Sequence, residues 1–153
     1  MARPAIIVID QGTSSTKGFL FDENLKVHQT EKIRHKVTRP KTGWAECDAK
    51  EIINSCRKIL FELNHLASSE FSSIAAVGMA FQRSTFLFWD KFTNEPTGPA
   101  MSWQDSRADK LAKNMPEKRK IVQNLTGIPL SGHFGGPKYL HTIINNLEIE
   151  EGI

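Results

Sequence analysis

Cysteine is scarce in this 153-residue chain: Cys47 and Cys56 are its only two, and they form no CxxC pair and no Cys/His ligand spacing. That argues against a disulfide framework or a structural zinc site and leaves both thiols a reduced, packing role. Long apolar runs are lacking as well. Nothing approaches the roughly 18 consecutive apolar residues of a membrane span, and Ala5 to Ile9 is too short for a signal-peptide core and is cut off by Asp10. The expectation is a cytoplasmic protein with no membrane partner. A strong charge of one sign is missing too: 20 Lys and Arg against 17 Asp and Glu leave a formal +3. That is too mild for nucleic-acid binding to follow from charge, though anionic small ligands remain open. With no internal repeat, no low-complexity tract and no massed Gly/Pro linker, one continuous domain is expected. The Asn124-Leu125-Thr126 sequon, without a secretory segment, reads as chance.

What is present is the composition of a folded domain, with 39% hydrophobic and 24% charged residues. Ala5 to Ile9 is a β-branched, apolar run ending in Asp10-Gln11-Gly12-Thr13, which predicts a buried strand feeding a polar turn. Lys17 to Asp22 predicts a second strand with Phe19 and Phe21 on one face. Glu23-Asn24 then makes a turn before a third extended stretch from Leu25 to about Val37. Asp48, with Glu51 three positions on, predicts a helix start, and Ile52, Cys56, Ile59, Leu60, Leu63 and Leu66 recur at helical spacing. Ile74 to Ala80 reads as another short buried strand and Thr85 to Trp89 as a further one. After a loop marked by Pro96, Gly98 and Pro99, helices are predicted over Asp105 to Leu111, Lys118 to Leu125 and Lys138 to Leu147, the last following a Gly135-Gly136-Pro137 break. This order implies an α/β layer with a mixed sheet, the first three strands antiparallel and a later one placed by a helix crossover. The final residues, with Glu148, Glu150 and Glu151, carry no terminal strand, so a piece of a longer protein is one reading of the chain.

Three constellations can carry chemistry. In Asp10-Gln11-Gly12-Thr13-Ser14-Ser15-Thr16-Lys17, a Gly and four hydroxyl residues between two strands can turn N–H and O–H groups toward phosphate oxygens, with Lys17 as a point charge. Asp10, at the strand end, can hold a hydrated Mg²⁺ opposite those phosphates. The same residues also serve as ordinary turn formers, and no GxxxxGK[ST] or GxGxxG run occurs. In Gln82-Arg83-Ser84-Thr85, Arg83 offers five fixed donors to a hydroxylated or anionic ligand at a strand end, the alternative being a solvated surface arginine. In Trp103-Gln104-Asp105-Ser106-Arg107, the indole can stack on the apolar side of a sugar, the alternative being a half-buried Trp followed by an Asp N-cap.

Together with Gly43-Trp44-Ala45-Glu46-Cys47-Asp48 and Thr126-Gly127, these segments resemble, in order and spacing across nearly the whole chain, the FGGY carbohydrate kinases, most closely the glycerol-kinase branch. The resemblance implies a ribonuclease-H-like, actin-like ATPase fold of two domains with a cleft between them. Residues 1–153 would form the N-terminal part of the first domain, with the rest of that domain and the C-terminal nucleotide domain outside the chain. It assigns Thr13, Ser14 and Ser15, in the turn made by Gly12, to the ATP phosphates, Asp10 to the magnesium shell and Lys17 to a supporting charge. Arg83 and Trp103 match positions that line a polyol pocket. Ser84 stands where glycerol kinases have glutamate and His133 where they have tyrosine, so a polyol or sugar is implied and glycerol is not fixed.

The implied reaction is transfer of the γ-phosphoryl of ATP to a substrate hydroxyl, with Mg²⁺ and an aspartate base that the family carries well downstream, expected beyond Ile153. Neither Asp105 nor Asp109 matches that base. The chain alone is therefore expected to be inactive, the alternative being a non-catalytic nucleotide- or sugar-binding module derived from such a kinase. A two-metal nuclease would need converging carboxylates where Gln82-Arg83 stand. An actin-like or chaperone-type ATPase leaves Arg83 with Trp103 unexplained. By analogy with the family's dimers and tetramers, a homodimer is the expected assembly.

Overall fold

A computed structural model of the protein describes residues 3–145. The chain divides into two compact units where one continuous domain was expected: unit 1 comprises Met1–Lys36 and Lys50–Gln82, and unit 2 comprises Val37–Ala49 and Arg83–Ile153. The division leaves no trace in composition because the chain passes from one unit to the other through short ordered connections, not through a Gly/Pro linker.

Unit 1 is a sheet backed by a helix. Strands β1 (Pro4–Gln11), β2 (Ser15–Phe21), β3 (Val27–Arg34) and, numbered in chain order, β6 (Ser73–Phe81) are arranged β3-β2-β1-β6. The first three are antiparallel and β6 runs parallel to β1, as the reading of a helix crossover requires. The crossover is α1 (Ala49–Glu70), which starts directly after Asp48. Strict alternation along β1 sends Ala5, Ile7 and Ile9 to the face that also receives Leu20, Ile59, Leu63, Ala67 and Phe71. Phe19 and Phe21 do share one face of β2, with ring centroids 6.1 Å apart, but that face is half-buried and Leu20 is the one in the core. Gly18 sits where α1 comes closest: a Cβ there would overlap the Ile59 side chain and lie 2.8 Å from Leu63 Cδ1.

Two expectations fail in this unit. The third extended stretch does not reach Val37 as one strand, because β3 ends at Arg34 and Val37–Thr38 forms β4 in the other unit's sheet. The run Ile74 to Ala80 is a strand but not a buried one, since β6 is the last strand of the sheet and Val77, Met79 and Phe81 are about half exposed or more.

Unit 2 has little regular structure. Its sheet joins two-residue strands in the order β4-β5-β7, with β5 at Glu46–Cys47 and β7 at Ala100–Met101. Its helices are α2 (Asp109–Lys113), α3 (Pro116–Thr126) and α4 (Gly135–Asn145). Thr85 to Trp89 is not a strand: so short a partner as β7 leaves only single bridges, Phe86 to Met101 and Trp89 to Pro96. The helix expected from Asp105 starts later, at Asp109, because Asp105 is used elsewhere. Pro116 occupies the first turn of α3, and Gly127, at φ 70°, ends it with a left-handed cap donating to the Gln123 carbonyl. The Gly135-Gly136-Pro137 segment opens α4 instead of breaking the chain before it, while Leu147 and the glutamates after it lie outside the described residues. Cys47 and Cys56 are not joined in a disulfide. Among the described residues no helix is long and apolar enough to cross a membrane.

Candidate functional site

The phosphate-binding candidates lie in unit 1. Asp10 faces Lys17 across the β1–β2 ladder, and their side chains form a solvent-exposed ion pair at 3.8 Å. The hairpin tip is Thr13-Ser14, closed by the Gly12 N–H donating to the Ser15 carbonyl at 2.9 Å. Gly12 therefore shapes the turn, Ser14 is exposed, and Ser15 is buried. Two neighbours that sequence reasoning did not single out hold this tip from beneath. The His35 N–H donates to the Ser14 carbonyl at 2.9 Å, and His35 Nε2 is hydrogen-bonded to the buried Thr16 hydroxyl at 2.6 Å. Gln11 Nε2 donates to the Gly12 carbonyl at 2.8 Å, and the Gln82 N–H donates to the Gln11 carbonyl, also at 2.8 Å. Burial pushes the His35 imidazole below its ordinary pKa against the opposing pull of Glu51, and its Nδ1 has no partner. Burial pushes the Cys56 thiol up, opposed by a hydrogen bond from Thr16.

An exposed carboxylate at a strand end, here beside Lys17, suits Mg²⁺ better than a closed protein cage would, because Mg²⁺ keeps most of its waters and is shared with substrate phosphates. Asp10 fits that role, and among the described residues no cluster of three His, Cys, Asp or Glu competes for it.

The substrate candidates Arg83, Ser84, Trp103 and His133 all belong to unit 2, and the structure gathers them. Trp103 and His133 stand edge to face with ring centroids 6.0 Å apart, and the Trp103 N–H donates to Thr85 Oγ1 at 3.2 Å. Arg83 is exposed, and Ser84, directly after it, has φ 63°. Beneath them is a residue that sequence reasoning missed. Lys138 is fully buried, and its Nζ donates to the Ser84 carbonyl at 2.9 Å and to the Ser102 carbonyl at 2.7 Å. An open cleft of about 660 Å³ in the same unit, lined by Trp44, Phe88, Met101, Arg107, His141 and Thr142, includes none of the four candidates.

The Gly43–Asp48 and Trp103–Arg107 segments build one scaffold. Asp105 Oδ2 accepts the Ala45 N–H at 2.7 Å, and Arg107 donates to Asp105 and, at 2.7 Å, to Glu46. The Arg107 guanidinium also lies 3.6 Å from the Trp44 ring centroid. Burial alone would raise the Asp105 pKa, but the hydrogen bonds from Arg107 and Ala45 outweigh it and hold the carboxyl below the ordinary range. Burial would lower the Arg107 pKa, but its hydrogen bonds to Asp105 and Glu46 outweigh it and raise the value. Asp105 is thus neither an N-cap nor a reactive carboxylate. The α2 cap is Ala108, which makes no side-chain capping bond.

The family model for the N-terminal domain of FGGY carbohydrate kinases matches residues 5–147. Glycerol kinase 2 of Streptomyces coelicolor is 38% identical over 141 residues, which cover 90% of this chain and 27% of that protein. The crystal structure of Plasmodium falciparum glycerol kinase with ADP superposes with a TM-score of 0.88 at 31% identity, over 97% of this chain and 30% of that one. A ligand-bound xylulose kinase from Lactobacillus acidophilus, at 24% identity and a TM-score of 0.87 over 97% of this chain and 30% of that one, shares the fold. The chain therefore spans less than a third of the length of these proteins. The mixed sheet with its helix crossover belongs to the actin-like ATPase fold that the motifs implied. Matched over nearly its whole length by that domain, with its motifs folded into a hairpin and a loop scaffold, the chain belongs to the FGGY family of carbohydrate kinases.

Proposed function

We propose that the chain is the N-terminal part of the first domain of an ATP-dependent kinase that phosphorylates a hydroxyl of a polyol or sugar, and that alone it binds without turning over. The observation that carries this reading is the gathering of Arg83, Ser84, Trp103 and His133 in one part of unit 2. Arg83 donates to substrate hydroxyls, Trp103 packs against the apolar side of the carbon chain, and His133, in edge contact with Trp103, offers a further polar group. Ser84 is short and neutral where glycerol kinases carry glutamate, which leaves room for a substrate longer than glycerol.

In unit 1, Thr13, Ser14 and Ser15 present N–H and O–H groups for phosphate oxygens, with Lys17 as a supporting charge. Asp10 would hold Mg²⁺ through water, and the ion, when bound, supplies neutralisation of phosphate charge. Phosphoryl transfer also needs a base for the acceptor proton. Asp105 is buried and committed to Ala45 and Arg107, and Asp109 sits in the first turn of α2. The family resemblance implies an aspartate base well downstream, and we assign the base beyond Ile153 on that ground.

The test is a titration of the chain with Mg·ADP, glycerol and xylitol, followed by amide and indole NMR signals, with an assay for phosphorylated polyol in the presence of ATP. Mg·ADP is expected to move the Thr13 to Ser15 amides. Xylitol should move the Trp103 indole at lower concentration than glycerol, and no product should form. A phosphorylated product would overturn the inactivity of the chain, and silence of both sets of signals would overturn the kinase reading.

A further inference from the structure

Three segments of unit 2 bring substrate candidates together, and one residue touches all three, two of them through its side chain. Lys138 Nζ reaches the carbonyl of Ser84, directly after Arg83, and the carbonyl of Ser102, directly before Trp103. Its own N–H points at the Phe134 carbonyl, directly after His133, at 3.4 Å. We propose that Lys138 is the positioning residue of the substrate loops: its buried amine draws the Ser84 and Ser102 carbonyls to one point and so fixes the backbone that presents Arg83 and Trp103. The proposal deepens the polyol reading and rests on it for its functional consequence.

Two physical arguments support it. A buried lysine loses the hydration of its charge, a cost that needs strong partners. Here the direct partners are two backbone carbonyls, while Asp105 and Asp109 act on it through their charge and Arg107 opposes them. Nothing in ordinary helix packing requires this placement: on α4, Tyr139 and Ile144 are about half exposed while Lys138 is fully buried. The second argument is strain. Ser84 stands at φ 63°, a conformation unfavourable for a residue with a Cβ, and such outliers persist only where the surroundings over-determine them. The carbonyl of this strained residue is one of the two that Lys138 holds. Released, Ser84 would relax toward negative φ. That would turn Arg83 on one side and Thr85 on the other, and Thr85 Oγ1 is the acceptor for the Trp103 N–H.

The experiment uses the whole chain and two readouts: the Arg83 Nε–H and Trp103 indole NMR signals without ligand, and a xylitol titration at the Trp103 signal. In Lys138→Met both signals are expected to shift or split, and xylitol should bind about tenfold or more weakly, the scale of losing charge-assisted hydrogen bonds. The Thr13 and Ser14 amides, unmoved, report that unit 1 is intact. Because glycine adopts positive φ without strain, Lys138→Met should do less damage in a Ser84→Gly background, a coupling that lost packing alone would not produce. Wild-type-like signals and affinity in Lys138→Met, or strict additivity with Ser84→Gly, would overturn the proposal. If Lys138→Met does not fold, Lys138→Gln, which keeps two N–H donors on a shorter arm, is read at the same ligand-free signals. An intermediate shift supports the proposal and none overturns it. If the wild type ignores xylitol and glycerol, the polyol reading fails, while the ligand-free signals still decide the role of Lys138.

Discussion

The two units hold themselves together by different means. Unit 1 has an apolar core in which Ile7, Ile9, Leu20, Ile59 and Leu63 are essentially without solvent contact. Among the described residues of unit 2 the fully buried groups are small or charged: Ala45, Cys47, Ala100, Ser102, Ala108, Asp105 and Lys138. Its order comes from side chains bonded to backbone, with Asp105 on Ala45, Arg107 on Asp105 and Glu46, and Lys138 on Ser84 and Ser102. An apolar core is graded, losing stability in proportion to the volume removed. A buried charge network is close to all or none, because each partner lost strands another. The contrast suits what each unit presents: a hairpin tip continued from two paired strands, and substrate loops that have no long strand to lean on.

The sharpest way to break the comparison is at Asp105. Asp105→Ala strands the Ala45 N–H and leaves the Arg107 guanidinium, 9% exposed, paired only with Glu46. A loss of about 3–5 kcal/mol is expected in urea unfolding. Asp105→Asn should cost nearly as much despite its matching shape, because the charge is what Arg107 needs. A mild Asn variant would place unit 2 in the graded class. In unit 1, Leu63→Ala is expected to cost about 2–5 kcal/mol and Ile59→Val only about 0.5–1.5 kcal/mol, measured in the same way. Equal losses for these two would remove the distinction from the other side.

The same contrast explains what could be read in advance. Unit 1 was legible because its apolar residues mark themselves in the sequence: the β-branched run of β1 and the helical spacing of Ile52, Cys56, Ile59 and Leu63. It was misread at β3, which stops at Arg34 and not near Val37, and at β6, whose run from Ile74 to Ala80 has the composition of a strand covered on both faces but ends the sheet. Unit 2 was legible as motifs but not as structure, because no period records a hydrogen bond from the Ala45 N–H to Asp105, sixty positions away. Lys138 was read only as the start of a helix, with nothing to place it in the interior, where the structure buries it fully. The available signal was a lysine directly after Gly-Gly-Pro in the first turn of a helix, where a cation is unfavourable to the helix dipole and so calls for another reason. His35 carried no signal either, since its partner Thr16 is found only through the strand register.

A smaller effect tests how tightly the unit 1 core is filled. Gly18→Ala puts a methyl group into the Ile59 and Leu63 side chains and is expected to cost about 1–3 kcal/mol. Combined with Ile59→Ala, which removes the Cγ2 methyl that the new group would overlap, the two losses should fall short of their sum in urea unfolding. Strict additivity would mean that α1 moves away as a body and that the core is looser than its burial implies.

The mildest prediction separates the units by pH. His35 has its pKa lowered by burial, so the unfolded chain, with an ordinary value of 6.5, binds the proton more readily than the folded one. The stability it contributes is fully present above pH 6.5 and is lost as pH falls through the lower folded value. Asp105 is also depressed, from 3.8, and its contribution holds above pH 3.8 and is lost only on further acidification. His141, in unit 2, is lowered by burial as well, so bulk stability below pH 6.5 does not belong to unit 1 alone. The comparison is therefore read at individual signals and not in bulk stability. As pH falls below 6.5, the Ser14 and Thr16 amides should move with the His35 ring, because protonation puts a charge beside a Thr16 hydroxyl that is already bonded and a buried Nδ1 that has no acceptor. The Ala45 amide, bonded to Asp105, should stay in place until the carboxylate range. Movement of the Ala45 and Ser14 amides in one common transition would show that the two units answer to a single titration, and the division between a graded core and a charge network would then not extend to their response to acid.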